Sequence, residues 1–162
     1  MKVLFLVLLV LNLHRIRGQN EVEVPVIVAG VVYMEDYDVQ AVLLADTVNK
    51  RVLPIFIGIF EAISIERGLN GEKFFRPLTY DLFVNILESL GVKVEKVVIV
   101  DLIKDVYYAR IYLKKGLKRY VVDSRPSDAI ALAVRLNVPV FVKEKVFVKS
   151  KFVRPLEKFK KI

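Results

Sequence analysis

Apolar residues recur along the body of the chain with two periods. Runs rich in valine and isoleucine at 22–34, 38–47 and 50–58 have the length and β-branched content of strands. Pro25 falls near the start of the first, where a missing N–H is tolerated. The polar link "DTVNK" between the second and third predicts a hairpin turn. The period then lengthens. "IFEAISIERGL" (59–69) places Ile59, Ala62, Ile63 and Glu66 at helical spacing, with Gly68 marking an end. After a loop at 70–77, "LTYDLFVNILESLG" (78–91) predicts an amphipathic helix with Leu82, Phe83, Ile86, Leu87 and Leu90 on one face. Thr79 is placed to cap it and Gly91 to stop it. Three more strands follow at 92–103, 106–115 and 118–124, then a helix at 126–137 and a buried strand at 138–142. Hairpin strands interrupted by helices predict an α+β single compact domain. Its sheet is mixed or antiparallel, with about three helices packed on it.

The two ends differ from the body. Residues 1–20 carry an apolar run from Val3 to Leu13 between basic residues, which reads as a signal-like segment or an upstream extension. That run is short for a membrane span, and no small-x-small cleavage pattern follows it. It leaves export or membrane contact as one expectation. The domain itself is expected over 21–148, followed by a basic tail at 149–162. "VFV" (146–148) is expected to complete the sheet.

Charge changes the picture chiefly at those ends. The net formal charge is +8, of which residues 1–18 carry +3 and 143–162 carry +6, so the body is near neutral. Phe147, Phe152 and Phe159 are interleaved with lysines, a composition that suits nucleic-acid phosphates or anionic lipid as well as a solvated terminus. The chain has no cysteine, and its one histidine, His14, lies in the N-terminal segment. Thiolate chemistry is excluded, and a Ser-His-Asp triad or histidine-bound zinc in the body is disfavoured. There is no G-x-G-x-x-G and no Walker-type loop. Chemistry must therefore come from carboxylates, arginines, lysines and hydroxyls, with a hard cation such as Mg2+ or Mn2+ as the expected helper.

Two helix starts share a grammar: "RPLTYD" (76–81) and "RPSD" (125–128). Proline suits a first turn, hydroxyls cap, and an aspartate in the first turn favours the helix dipole. Capping accounts for Thr79, Asp81, Ser127 and Asp128. It does not account for Arg76 and Arg125, since a cation at a helix N-terminus opposes the dipole and needs an anionic partner. An arginine beside free helix N–H groups is also a phosphate site, here with Ser127. Asp123 ends the strand "YVVD" and is expected to aim its oxygens at this region; with Asp81 and Asp128 it would hold a divalent cation. Glu61, in the first turn of its helix, adds a further carboxylate. The two Arg-Pro starts are expected to lie side by side.

"RVLPIFIGIFEA", "RPLTYDLFVNILESLG" and "DSRPSDAIALAVRLNVPVFV" together resemble the bifunctional nuclease domain family, over roughly Val24 to Val148. The resemblance implies a compact α+β domain that hydrolyses DNA and RNA, cytoplasmic in its usual setting. Self-association to a homo-oligomer is also expected. Glu61, Arg76, Pro77, Asp81, Asp123, Ser124, Arg125, Pro126, Ser127 and Asp128 stand at positions of its motifs. A metal-assisted nuclease is the leading expectation. A non-catalytic nucleic-acid- or anion-binding regulatory domain is the alternative.

Overall fold

The computed structural model describes residues 21–159. The apolar N-terminal segment, with His14, lies outside the described residues, and so do Lys160 and Lys161. Among the described residues no helix is long and apolar enough to cross a membrane.

Strands β1 (Glu23–Met34), β2 (Val39–Asp46) and β3 (Arg51–Ile57) form an antiparallel meander. Helices α1 (Ile59–Leu69) and α2 (Thr79–Ser89) follow. A second meander is made by β4 (Lys93–Ile103), β5 (Val106–Lys115) and β6 (Lys118–Ser124). The chain continues through α3 (Pro126–Leu136), β7 (Val140–Lys143), a short helix α4 (Glu144–Lys149) and β8 (Arg154–Pro155), with 3-10 turns at Glu35–Tyr37 and Leu156–Phe159. The eight strands form one sheet in the order β6-β5-β4-β7-β1-β2-β3-β8. All neighbours are antiparallel except β4 and β7. The α+β class and mixed sheet read from the pattern are therefore correct, with one more strand and one more helix than expected.

Four-residue β7 joins the two meanders. It pairs with β4 on one side and with Glu23–Val26 of β1 on the other. Beyond Val26, β1 changes partner and runs along β2, and a bulge between Val28 and Gly30 accommodates the switch. Gly30 has φ +150, a backbone state that side chains rarely tolerate.

One face of the sheet carries α1 and α3 over the main core, which includes Leu44, Leu53, Ile65, Ile99, Ile130 and Val142, all nearly sealed from solvent. Burying a side chain of this size contributes about 1.5–3 kcal/mol. Gly68 is inside α1 and not its end: a Cβ there would lie 2.5 Å from Val134 Cγ2, so glycine is what lets α1 approach α3. The other face of β2 and β3 has its own small core of Leu43, Ala45 and Val52, covered partly by Leu156 and Phe159.

Three expectations change here. On α2 the inward stripe is Tyr80, Val84 and Leu87, half-buried, while Leu82, Phe83, Ile86 and Leu90 are exposed. The helix docks along one narrow line, and its sequence holds more apolar residues than that line uses. "VFV" does not extend the sheet; it lies in α4, which buries Val146 and Phe147. The residues read as a solvated tail are packed up to Phe159: β8 pairs with β3, and Phe152 meets the rings of Phe56 and Tyr37. Their cations are partly paired too, Lys149 with Asp101 at 2.6 Å and Lys151 with Asp105 at 3.5 Å.

The hairpin turn after β2 is built on Asp46, which is fully buried. Its carboxylate accepts from the N–H groups of Val48 and Asn49, from Asn49 Nδ2 and from Arg51 Nε. Arg51 also grips Glu144 with both terminal nitrogens (2.9 and 2.6 Å), tying β3 to α4.

Candidate active site

The first turns of α1, α2 and α3 meet at one end of the helical layer. Arg125 is the N-cap residue of α3, and Pro126 is at the first helical position, preset for helical φ. The Arg125 guanidinium turns back over its own helix and binds Asp128 through two bonds, Nε to Oδ2 at 2.7 Å and Nη2 to Oδ1 at 2.9 Å. Nη2 also lies 3.2 Å from Glu61 Oε1 on α1. Tyr80 of α2 donates its hydroxyl to Asp128 Oδ1 at 2.6 Å. One arginine, two carboxylates and one phenol from three helices thus form a single network; Tyr80 and Asp128 join the starts of α2 and α3, while Arg76 takes no part in it.

Charges are tuned accordingly. Burial would raise the Asp128 carboxyl, but Arg125 and Tyr80 outweigh it and hold the pKa below its ordinary value. Burial, then the Asp128 carboxylate, pushes the Tyr80 phenol far up, so Tyr80 stays a neutral donor. The hydrogen bond that Arg125 donates to Asp128 raises the guanidinium's own pKa. Despite these contacts the Arg125 side chain is 65% exposed. It faces a cleft of about 560 Å³ lined also by Gly58, Glu61, Ser127, Tyr107 and Lys151. A Cβ at Gly58 would meet Glu61 Oε2, the far end of a flexible side chain, so glycine there leaves the carboxylate free to reach Arg125.

A second network lies behind the first. Asp81 accepts from the Leu78 N–H (3.0 Å) and from Arg135 Nε (2.8 Å). Burial opposes these two donors, yet they hold its pKa below the ordinary value. Arg135 also reaches Ser64 Oγ at 3.1 Å and lies over the Tyr80 ring.

Capping differs from the sequence reading. Leu78, not Thr79, is the N-cap of α2, and Arg125 precedes α3, so neither cap residue offers a hydroxyl. Asp81 reaches back to the cap amide instead. Ser127 is buried in the first turn and lines the cleft. Arg76 is exposed on the loop before α2, outside both networks. Asp123 is exposed on β6 opposite Arg110. Its neighbour Val122 pairs with Ile111, which belongs to the helix-side core, so strand alternation turns Asp123 to the other face. Asp81, Asp123 and Asp128 are therefore not brought together. Among the described residues no group of three or more histidine, aspartate and glutamate side chains is placed to hold one metal ion. As they stand, these residues do not make a cation cradle.

Tyr80 and Arg135 are the residues that sequence reasoning missed. Arg135 lies seven positions after Asp128, on the same helical face, and that spacing was the available signal.

The sequence matches the bifunctional nuclease domain over residues 42–154. It is 35% identical over 130 residues to a protein of Mycobacterium tuberculosis (strain CDC 1551 / Oshkosh) named as uncharacterized, covering 80% of this chain and 77% of that one. It is 32% identical over 108 residues to bifunctional nuclease 1 of Oryza sativa subsp. indica, covering 65% of this chain and 33% of that one. Bifunctional nuclease 2 of Arabidopsis thaliana is 32% identical over 94 residues, with 56% and 29% covered. The chain belongs to the bifunctional nuclease domain family. It spans about a third of the length of the plant nucleases it matches.

Proposed function

We infer that this protein is a hydrolase of phosphodiester bonds in DNA or RNA, with its chemistry at Arg125 and Glu61. The observation that carries this reading is the exposed guanidinium held at the mouth of the cleft between two carboxylates of adjoining helices. A backbone phosphate entering the cleft pairs with Arg125, with Lys151 on the same lining. The contact to Glu61 is the longer of its two ion pairs, so the phosphate displaces Glu61 while Asp128 keeps its fork. The freed Glu61 carboxylate then takes a proton from water as the water oxygen attacks phosphorus. Arg125 stabilises charge on the non-bridging oxygens, and the leaving oxygen departs to be protonated by solvent. Asp128 and Tyr80 act as positioning residues for Arg125. Mg2+ or Mn2+ would supply a Lewis acid in the same reading, though the described carboxylates are not gathered about one cation position.

The test is cleavage of single- and double-stranded DNA and RNA by highly purified protein, with Mg2+, Mn2+ or EDTA. Glu61→Gln and Arg125→Gln should each lower the rate by about 10²-fold or more. Undiminished cleavage by both variants would remove this site from the chemistry. Binding without cleavage under every condition would support a non-catalytic anion-binding domain instead.

A further inference from the structure

The strand register places like charges opposite one another at the far end of the second meander. Lys93 faces Lys114, Lys114 faces Arg119, and Lys115 faces Lys118. Directly opposed like charges destabilise a ladder, so folding alone gives no reason for three such contacts in a row. Glu95, in an ion pair with Arg119 at 3.2 Å, is the acid paired with this group. Residues 114–119 hold four basic residues and no acid. The same hairpin exposes apolar surface on an edge strand: Leu117 is 98% exposed at the tip, and Tyr120 and Val121 are about half exposed.

We propose that the β5–β6 hairpin, with Lys93 beside it, is a second nucleic-acid contact, which holds the phosphate backbone of a strand whose scissile bond lies in the Arg125 cleft. The inference rests on the nuclease reading for the identity of the strand. Its geometry follows from β6, the edge strand, which starts in the basic patch and ends one residue before Arg125. Lys115 and Lys118 share the helix-side face with Val122, Lys93, Lys114 and Arg119 lie on the face of Asp123, and the bound strand follows the open edge between them. Six residues separate Arg119 from Arg125, about 20 Å at the rise of a strand. That is roughly three nucleotides of an extended single strand, whose phosphates lie at about twice the 3.4 Å duplex spacing. Substrates longer than this reach both places, and shorter ones reach only the cleft.

The experiment is equilibrium binding of labelled single-stranded oligonucleotides of about two and about twenty nucleotides, at salt from about 50 to about 200 mM. It compares the intact protein with a Lys114→Gln, Lys118→Gln, Arg119→Gln variant. For the long strand the log–log salt slope should fall by about 2, since each lost phosphate contact removes about 0.7. The short strand should bind both proteins alike. The melting temperature should change little, because relieved repulsion offsets the lost exposed pair between Arg119 and Glu95. An unchanged slope and an unchanged long-strand affinity in the folded variant would overturn the proposal. So would loss of binding to vesicles of phosphatidylserine and phosphatidylcholine with nucleic-acid binding intact, which would make the patch a membrane contact. Turnover at saturating substrate separates this inference from the one it rests on. A wild-type protein that cleaves nothing, beside a variant that loses the slope, removes the catalytic reading and leaves the hairpin contact standing.

Discussion

The bond between Tyr80 and Asp128 joins the starts of α2 and α3, and its strength is measurable. It is a hydrogen bond from a neutral donor to a charged acceptor, at 2.6 Å. Such bonds contribute about 1.5–3 kcal/mol. The Asp128 side chain is 30% exposed, so solvent places the value at the lower end, about 1.5 kcal/mol. A double-mutant cycle of Tyr80→Phe and Asp128→Ala isolates the pair from the other contacts of each residue. In urea, followed by circular dichroism, the coupling should appear as a non-additive midpoint shift of about 0.7 M, taking a slope of about 2 kcal/mol per molar. The pH dependence carries a sign. The folded Asp128 pKa is depressed, so the stabilisation is present above the ordinary carboxylate pKa and lost as pH falls through the folded value. A coupling below about 0.5 kcal/mol at pH 7 is indistinguishable from additivity and would refute the view that this bond fastens the helix starts.

Gly58→Ala should cost activity without costing stability, because the new Cβ strikes the mobile end of Glu61 and pushes it from Arg125; a melting curve beside a cleavage assay checks both halves. Acid lability should come from Asp46 and Asp101. Burial opposes ionisation of both, but hydrogen bonds and cations hold them below their ordinary pKa, Asp101 at about 2. Their contribution is therefore full above about pH 4 and should fade as pH drops toward 2, as urea midpoints across that range will show. Truncation after Val148 should destabilise the fold by about 2 kcal/mol or more, since it strips Leu156 and Phe159 from Leu43, Ala45 and Val52; a truncated chain with an unchanged midpoint would show that this cover contributes nothing.

Much of the architecture was legible because period and punctuation agreed. The two meanders and three of the helices follow from runs of β-branched residues, turn links and helical spacing. Less legible were features set by partners distant in sequence. On α2, Leu82 and Leu87 are equally apolar, and only the position of α3 decides which is covered. β6 is exposed on both faces, so nothing in "YVVD" indicates which side Asp123 takes. At the site, Glu61, Arg125 and Asp128 were visible as charges that capping explained incompletely. Tyr80 was hidden because a tyrosine at an inward helical position reads as core; its hydroxyl gains a role only when Asp128 arrives from 48 residues away.

The late position of β7 has a consequence for how the chain is made. Glu23–Val26 leave the ribosome long before Val140–Lys143, the strand with which they pair. At ordinary synthesis rates about a hundred residues of delay is roughly 5–20 s. Through that interval the first third of β1 waits as an open edge, joined by one side of β4 once that strand is made, and open edges are templates for pairing with other chains. Variants that weaken β7 should therefore be lost first as soluble yield in the cell. Those molecules that do close the sheet would still carry a normal cleft, and a purified sample judged by specific activity alone would conceal the defect.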